Sequence, residues 1–285
     1  MLKQISSCFD ALRVTAGQQL TVMSKREIAK QLIKLLSEIG AASGLDEFVV
    51  MGGVGAGPGH PCPGCDNQAQ AILLNWKICV MDQLFSTADA ALRTLFATPR
   101  ASRVCPTLAL EATDLSASEK AQAGALMRVN HVGEICAQAL YTAQAFATQN
   151  DALRAHFIKA SAEETDHLAW TEQRLQELGA HKSLLNPLWY GAAFGLGLLA
   201  GRLGDTLSLG FVVETESQVE AHLESHLSML PGNDHASRAI VAQMKEDEAR
   251  HALDARKAGA AELPQIVKTL MTSAAKVMTT VAHRV

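Results

Sequence analysis

The sequence predicts an all-α fold built on a bundle of four long helices, and three observations carry that expectation. Alanine and leucine dominate the composition, and both favour helix. From Ser116 onward apolar residues recur at intervals of three and four, which gathers them on one helical face. The periodic stretches are separated by short breaks that carry caps, glycine or proline.

Taken in order, the first bundle helix starts at Ser116-Ala-Ser-Glu119, a capping box in which serine and glutamate satisfy each other's backbone donors. It continues without proline through Leu126, Val129, Ile135, Leu140 and Phe146 to about Gln149. The second spans about Asp151 to Leu178, with Asp151 near its N-terminus and Gly179 as its stop. So short a link makes the two antiparallel neighbours. The third covers about Thr206 to Leu230 and is cut by Pro231-Gly-Asn-Asp234; the fourth runs on to about Ala258. After Pro264, an amphipathic helix over Gln265 to Ala282 repeats Ile266, Leu270, Ala274, Val277 and Val281.

Between the second and third helices, Ser183 to Gly201 is nearly uncharged. Asn186 and Pro187 come early in it, followed by Trp189, Tyr190 and several glycines, so its strongly apolar part is short for a bilayer span. It suits a helix lying in a membrane interface, facing the lipid from outside the bundle.

Met1 to about Val80 reads as a separate N-terminal extension with no assigned role: a helical stretch near Ser24 to Ile39, then the glycine and proline cluster Gly52 to Gly64. Gly53, Gly55, Gly57 and Gly59 miss the dinucleotide-binding spacing, because Pro58 and His60 stand where a third glycine is needed. Cys62-Pro-Gly-Cys65 is a lone CxxC without a second CxxC or a paired HxxxH, which reads as a loop before it reads as a zinc or redox site. Met81 opens a stretch of better periodicity, so the functional domain is expected over residues 81–285, with Met81 a candidate start.

At 285 residues the chain can bury a full-sized core. With 48% apolar residues it belongs with globular rather than disordered chains. A net charge of -4 and the lack of clustered Lys and Arg with interleaved aromatics argue against nucleic acid as a partner. Cys8, Cys62, Cys65, Cys79, Cys105 and Cys136 are too irregularly placed for a disulfide scaffold and point to a reducing cytoplasm. Met1 to Val50 keeps placing charges among its apolar residues, so no secretion signal is expected.

The chemistry lies in four pieces, one per bundle helix: Glu134, Glu164-Thr-Asp-His167, Glu216 and Glu248-Ala-Arg-His251. Three-residue spacing puts the glutamate and histidine of each ExxH on one face, where both reach one metal ion. The flanking residues place these positions inward: Phe157, Ala160 and Leu168 share the stripe of Glu164 and His167, and Ile240, Met244 and Ala255 that of Glu248 and His251. Leu209, Val212, Val213, Val219 and Leu223 surround Glu216, and an uncompensated carboxylate on such a face is expensive.

Taken singly, an ExxH is more often a solvated helix face than a ligand pair. Here the two ExxH motifs each trail an inward glutamate, by 30 positions from Glu134 to Glu164 and by 32 from Glu216 to Glu248, so the chain contains a pseudo-repeat of two helical hairpins. Four carboxylates with two imidazoles is the donor set of ferritin-like di-iron or di-manganese bundles, with two iron ions the first choice. His131 and His222 are second-sphere partners or polar neighbours, Tyr141 lines a pocket or the core, and Glu163, Glu214 and Glu220 are solvated or interhelical partners.

Arg128-Val-Asn-His-Val-Gly-Glu134, Glu163-Glu-Thr-Asp-His167, Glu214-Thr-Glu-Ser-Gln-Val-Glu-Ala-His222 and Glu246-Asp-Glu-Ala-Arg-His251 resemble the demethoxyubiquinone hydroxylases of ubiquinone biosynthesis, over about Met81 to the C-terminus. The resemblance implies the same six metal ligands, with Glu164 and Glu248 as bridges. It also implies hydroxylation of a polyprenylated methoxy-methyl-benzoquinol ring with O2, and peripheral attachment to the cytoplasmic side of the cell membrane, with Pro187 to Ala200 as a route for the substrate and other proteins of the pathway as partners. The sequence has no nicotinamide or flavin fingerprint, so reducing equivalents are expected from a partner, the substrate or a freely bound donor. Two rival readings are a ferritin-type iron oxidase and a metal-free lipid carrier whose carboxylates form interhelical salt bridges.

Overall fold

The computed structural model describes residues 65–107 and 114–285, with backbone alone for 65–80. The helix expected near Ser24 to Ile39, the Gly52 to Gly64 cluster and the Cys62 to Cys65 motif lie outside the described residues, apart from the backbone of Cys65. The described residues form seven helices and no strand: α1 (Cys65–Phe96), α2 (Ala117–Ala147), α3 (Asp151–Glu177), α4 (Asn186–Arg202), α5 (Asp205–Met229), α6 (His235–Lys257) and α7 (Gln265–Ala282). The boundary drawn at residues 80 and 81 falls inside α1, which passes through it unbroken.

The start and stop signals act locally as expected. Ser116 caps α2, its hydroxyl accepting from the Glu119 N–H while the Glu119 carboxylate accepts from the Ser116 N–H at 2.8 Å. Asn150, one residue before Asp151, caps α3 by accepting from the N–H groups of Ala152 and Leu153. Gly179 ends that helix at φ 68°, a left-handed value that favours glycine. Asp234, the last residue of the breaker sequence, caps α6 through the Ser237 N–H.

Two hairpins, α2 with α3 and α5 with α6, pack against each other so that α2 meets α5 and α3 meets α6. Their buried residues form two apolar layers. One gathers Met127, Trp170, Leu175, Leu223, Ile240 and Met244; the other gathers Tyr141, Phe157, Leu209, Val212 and Ala255. On every bundle helix the ExxH or lone glutamate lies between a residue of one layer and a residue of the other, so the polar groups form a single level with apolar packing on both sides.

The uncharged segment forms α4, laid along α2. Close approach requires glycine at Gly197, where an added Cβ would stand 2.8 Å from the Leu140 carbonyl oxygen. The opposite side of α4 exposes Leu188, Leu196 and Leu199, and α7, which also touches α2, exposes Ile266, Leu270 and Val277. Among the described residues, no helix is long and apolar enough to cross a membrane.

Candidate metal centre

The six residues singled out by spacing converge in the polar level. Glu134, Glu164, His167 and Glu248 offer ligand atoms within 4.8 Å of one another, and so do Glu164, Glu216, Glu248 and His251. Glu164 and Glu248 belong to both groups. Each hairpin therefore contributes one private glutamate and one histidine, and each α-helix with an ExxH contributes a shared carboxylate.

Both imidazoles point Nδ1 inward. His167 Nδ1 lies 3.0 Å from Glu164 and 3.3 Å from Glu248; His251 Nδ1 lies 3.0 Å from Glu164 and 3.3 Å from Glu248. The outer nitrogens make crossed contacts. His167 Nε2 on α3 meets Asp247 of α6 at 2.9 Å, and His251 Nε2 on α6 meets Glu163 of α3 at 3.0 Å. In both cases the partner is the residue just before the other helix's ExxH glutamate. A carboxylate accepting from Nε2–H fixes the ring and leaves the Nδ1 lone pair for a metal.

These outer carboxylates are themselves held. Arg250 bridges Asp247 and Glu163, with 2.8 Å to each, and Arg103 pairs with Asp247 and Asp166 at 2.8 Å each. The Arg103 guanidinium also sits 4.9 Å above the Trp170 ring. Between the hairpins, Tyr141 Oη of α2 donates to Glu216 of α5 at 2.6 Å.

Four buried glutamates in one level demand positive charge. Burial pushes Glu134 and Glu216 well above the usual carboxylate range; neighbouring negative charge adds to this, from Glu248 and Glu164 around Glu216 and from Glu164 beside Glu134. Burial opposes ionisation of Glu164 too, but His167 and His251 outweigh it and hold this carboxyl below its ordinary value. Burial alone would lower His251, yet its contacts with Glu164 and Glu248 push it up to about 12. Glu134 Oε2 is buried without a hydrogen-bond partner, its nearest cation being His167 Nδ1 at 3.5 Å. Hard oxygen donors with two imidazoles, buried and rich in carboxylate, fit a pair of divalent iron-type cations.

The model of the family described as ubiquinone biosynthesis protein COQ7 matches residues 121–282, the stretch that holds all six residues. The chain belongs to this family. It is 79% identical over 206 residues to a 3-demethoxyubiquinol 3-hydroxylase of Albidiferax ferrireducens, a match covering 72% of this chain and 98% of that protein. Proteins of the same name from Polaromonas naphthalenivorans and Delftia acidovorans are 70% and 58% identical over 205 residues, each match covering 72% of this chain and 98% and 100% of the relative.

In this COQ7-family chain the other sequence candidates are placed as follows. Glu163 is an interhelical partner, on His251. Tyr141 is a core residue and also lines a crevice at Glu216. His131 lies 3.8 Å from Glu172, and His222 packs on His226 with ring centres 4.0 Å apart, so both are polar neighbours. Glu214 accepts from Gln218 and lies 3.8 Å from Lys268. Spacing missed Asp247, Asp166 and Arg103. The signal for Asp247 was present: an acidic residue precedes the glutamate in both ExxH motifs. Arg103 stands more than sixty positions before Asp166 in a non-helical stretch and carries no local mark.

Proposed function

We propose that this chain is an O2-dependent di-iron monooxygenase that hydroxylates the ring of a polyprenylated methoxy-methyl-benzoquinol in ubiquinone biosynthesis. The observation that carries the reading is the meeting of Glu134, Glu164, His167, Glu216, Glu248 and His251 in two groups that share Glu164 and Glu248. It is supported by the names of relatives up to 79% identical, which favour quinol hydroxylation over iron storage or lipid carriage.

Glu134, Glu164 and His167 would hold one ion and Glu216, Glu248 and His251 the other, with Glu164 and Glu248 as bridges. Iron bound there would supply the oxygen chemistry that protein side chains cannot. Asp247 and Glu163 keep both imidazoles aimed inward, Tyr141 fixes one Glu216 oxygen, and the apolar layers above and below exclude water from the level.

The reading includes peripheral attachment at the cytoplasmic side of the cell membrane. Supporting it are the leucines on the outer face of α4 and the apolar face of α7, with Leu188 61% and Ile266 71% exposed. The hydroxylase domain is assigned to residues 81–285, and residues 1–80 to an extension of unassigned role.

Iron analysis and a hydroxylation assay, on the full chain and on a protein starting at Met81, test these points together. Two irons per chain and O2-dependent ring hydroxylation are expected from both. Iron uptake without quinol turnover would favour an iron oxidase, and failure to take up iron would favour the metal-free reading.

A further inference from the structure

Two crevices border the polar level or the side chains that touch it, and they differ in room. The one between α2 and α5 is too narrow for a water-sized sphere. The other lies between α3 and the non-helical stretch from Thr98 to Cys105. It encloses about 410 Å3, within the roughly 300–1,000 Å3 of small-molecule sites. None of the six clustered residues reaches its wall, but Trp170 and Arg103 do.

These two side chains join the crevice to the centre. Trp170 follows His167 by one turn of α3, and their ring centres lie 5.5 Å apart. The Arg103 guanidinium covers the indole at 4.9 Å, and its Nη2 lies 3.3 Å from His167 Nε2. Asp166 and Asp247 hold Arg103 in that place, so the indole is fixed in ring contact with a candidate iron ligand. The other half has no such link: the aromatic neighbour of His251 is Tyr141, which is buried and borders the narrow crevice. Along the roomy crevice α3 also contributes Ala169, Gln173 and Gln176, which share a face by their spacing. Gln173 Nε2 donates to Glu177 at 2.8 Å, while its Oε1 and the whole Gln176 amide make no hydrogen bond among the described residues. An aromatic wall with free amide donors and acceptors beside it suits a planar heteroaromatic ring with polar edges.

From this we infer that the α3 crevice docks the reductant, a small planar donor of the reduced-flavin class, and that Trp170 is the contact through which its electrons reach the His167 side of the centre. Hydroxylation consumes ring–H, O2, two electrons and two protons and yields ring–OH and water. Hydride transfer needs reacting atoms about 3–3.5 Å apart, and the indole stands between the crevice and His167. Electrons alone can cross that contact, and a reduced flavin releases them singly. The flavin gives up two electrons and two protons and leaves as the oxidised ring; each of two ferric ions takes one electron, and Trp170 undergoes no net change. The need for a donor rests on the hydroxylase reading; the place of docking rests on the crevice and the Trp170–His167 contact.

The probe is FMN, on the full-length protein loaded with ferric iron and kept free of O2. Quenching of FMN fluorescence reads docking, and stopped-flow loss of the ferric absorbance on mixing with reduced FMN reads electron delivery. The native protein should quench FMN, and its rate of reduction should saturate with FMN concentration. Ala101→Leu, at an exposed position of the crevice wall, should bind FMN about tenfold more weakly, the cost of overfilling a site. Trp170→Leu should keep its iron content and lose most of the limiting rate at saturating FMN, with Trp170→Phe in between. A native protein that neither quenches nor saturates, an Ala101→Leu protein that binds as the native does, or a Trp170→Leu protein with the native limiting rate overturns the inference. Should Trp170→Leu load no iron, a native limiting rate in Trp170→Phe overturns it instead. Ring hydroxylation is followed in parallel, in a single turnover after reduction by dithionite. Hydroxylation without FMN docking sinks the inference and spares the hydroxylase reading; docking and reduction without hydroxylation do the reverse.

Discussion

His167 and His251 occupy matching places on the two hairpins, yet their surroundings differ. His167 is fully buried, and its outer partner Asp247 is held by two arginines, one of them covering Trp170. His251 is 6% exposed, and its outer partner Glu163 leans on Arg250 with a side chain 21% exposed. The private glutamates differ in the same sense: Glu134 contacts only its own cluster, whereas Glu216 takes the Tyr141 hydroxyl and borders the crevice. One half of the centre is thus enclosed and held by two arginines, while the other is slightly exposed and borders a narrow crevice.

The largest effect is expected where the halves overlap. Glu164→Ala or Glu248→Ala removes a group common to both clusters, so iron binding and ring hydroxylation should fall to background while circular dichroism stays helical, because the apolar layers are untouched. One iron retained at full affinity in either variant would break the shared-ligand account. Next come the outer carboxylates. Asp247→Asn should weaken iron affinity about 100-fold and Glu163→Gln about tenfold, since the first loses a buried acceptor tied to two arginines and the second a partly exposed one. Equal losses in a chelator competition would erase the asymmetry.

The pH dependence follows from protons standing in for metal. Contacts with Glu164 and Glu248 push His251 up to about 12, against roughly 6.5 in an unfolded chain. That stabilisation is complete below the unfolded value and is lost as pH rises toward the folded one. Burial likewise keeps Glu134 and Glu216 protonated above their ordinary range, a contribution that also declines as pH rises. Metal must displace these protons, so its affinity climbs with pH. Between about pH 6.5 and 9 the melting temperature of the metal-free protein should fall, and the gap to the iron-loaded protein should widen; a constant gap would refute proton–metal exchange. The smallest effect is expected from Tyr141→Phe. Loss of one hydrogen bond costs about 1 kcal/mol, roughly a fivefold loss of affinity, and it should loosen the Glu216-side ion while leaving the Glu134-side ion unchanged.

How much of this was legible in the sequence depended on whether the cause was local. The capping box at Ser116 and the Pro231 to Asp234 breaker set helix ends to within a residue or two, and three-residue spacing was enough to pair each glutamate with its histidine. Apolar flanks placed Glu216 inward for the same reason. The crossed contacts of Asp247 and Glu163 were not legible, because they depend on α3 and α6 lying side by side at one level, which no single helix records. Arg103 was invisible on the same ground, since its partners Asp166 and Asp247 lie on α3 and α6.

The most direct test of the central claim is anomalous diffraction at the iron edge from crystals of the loaded protein. The account expects two peaks, both within bonding distance of Glu164 and Glu248, one completed by Glu134 and His167 and the other by Glu216 and His251. A single peak, or two that share neither Glu164 nor Glu248, would contradict it.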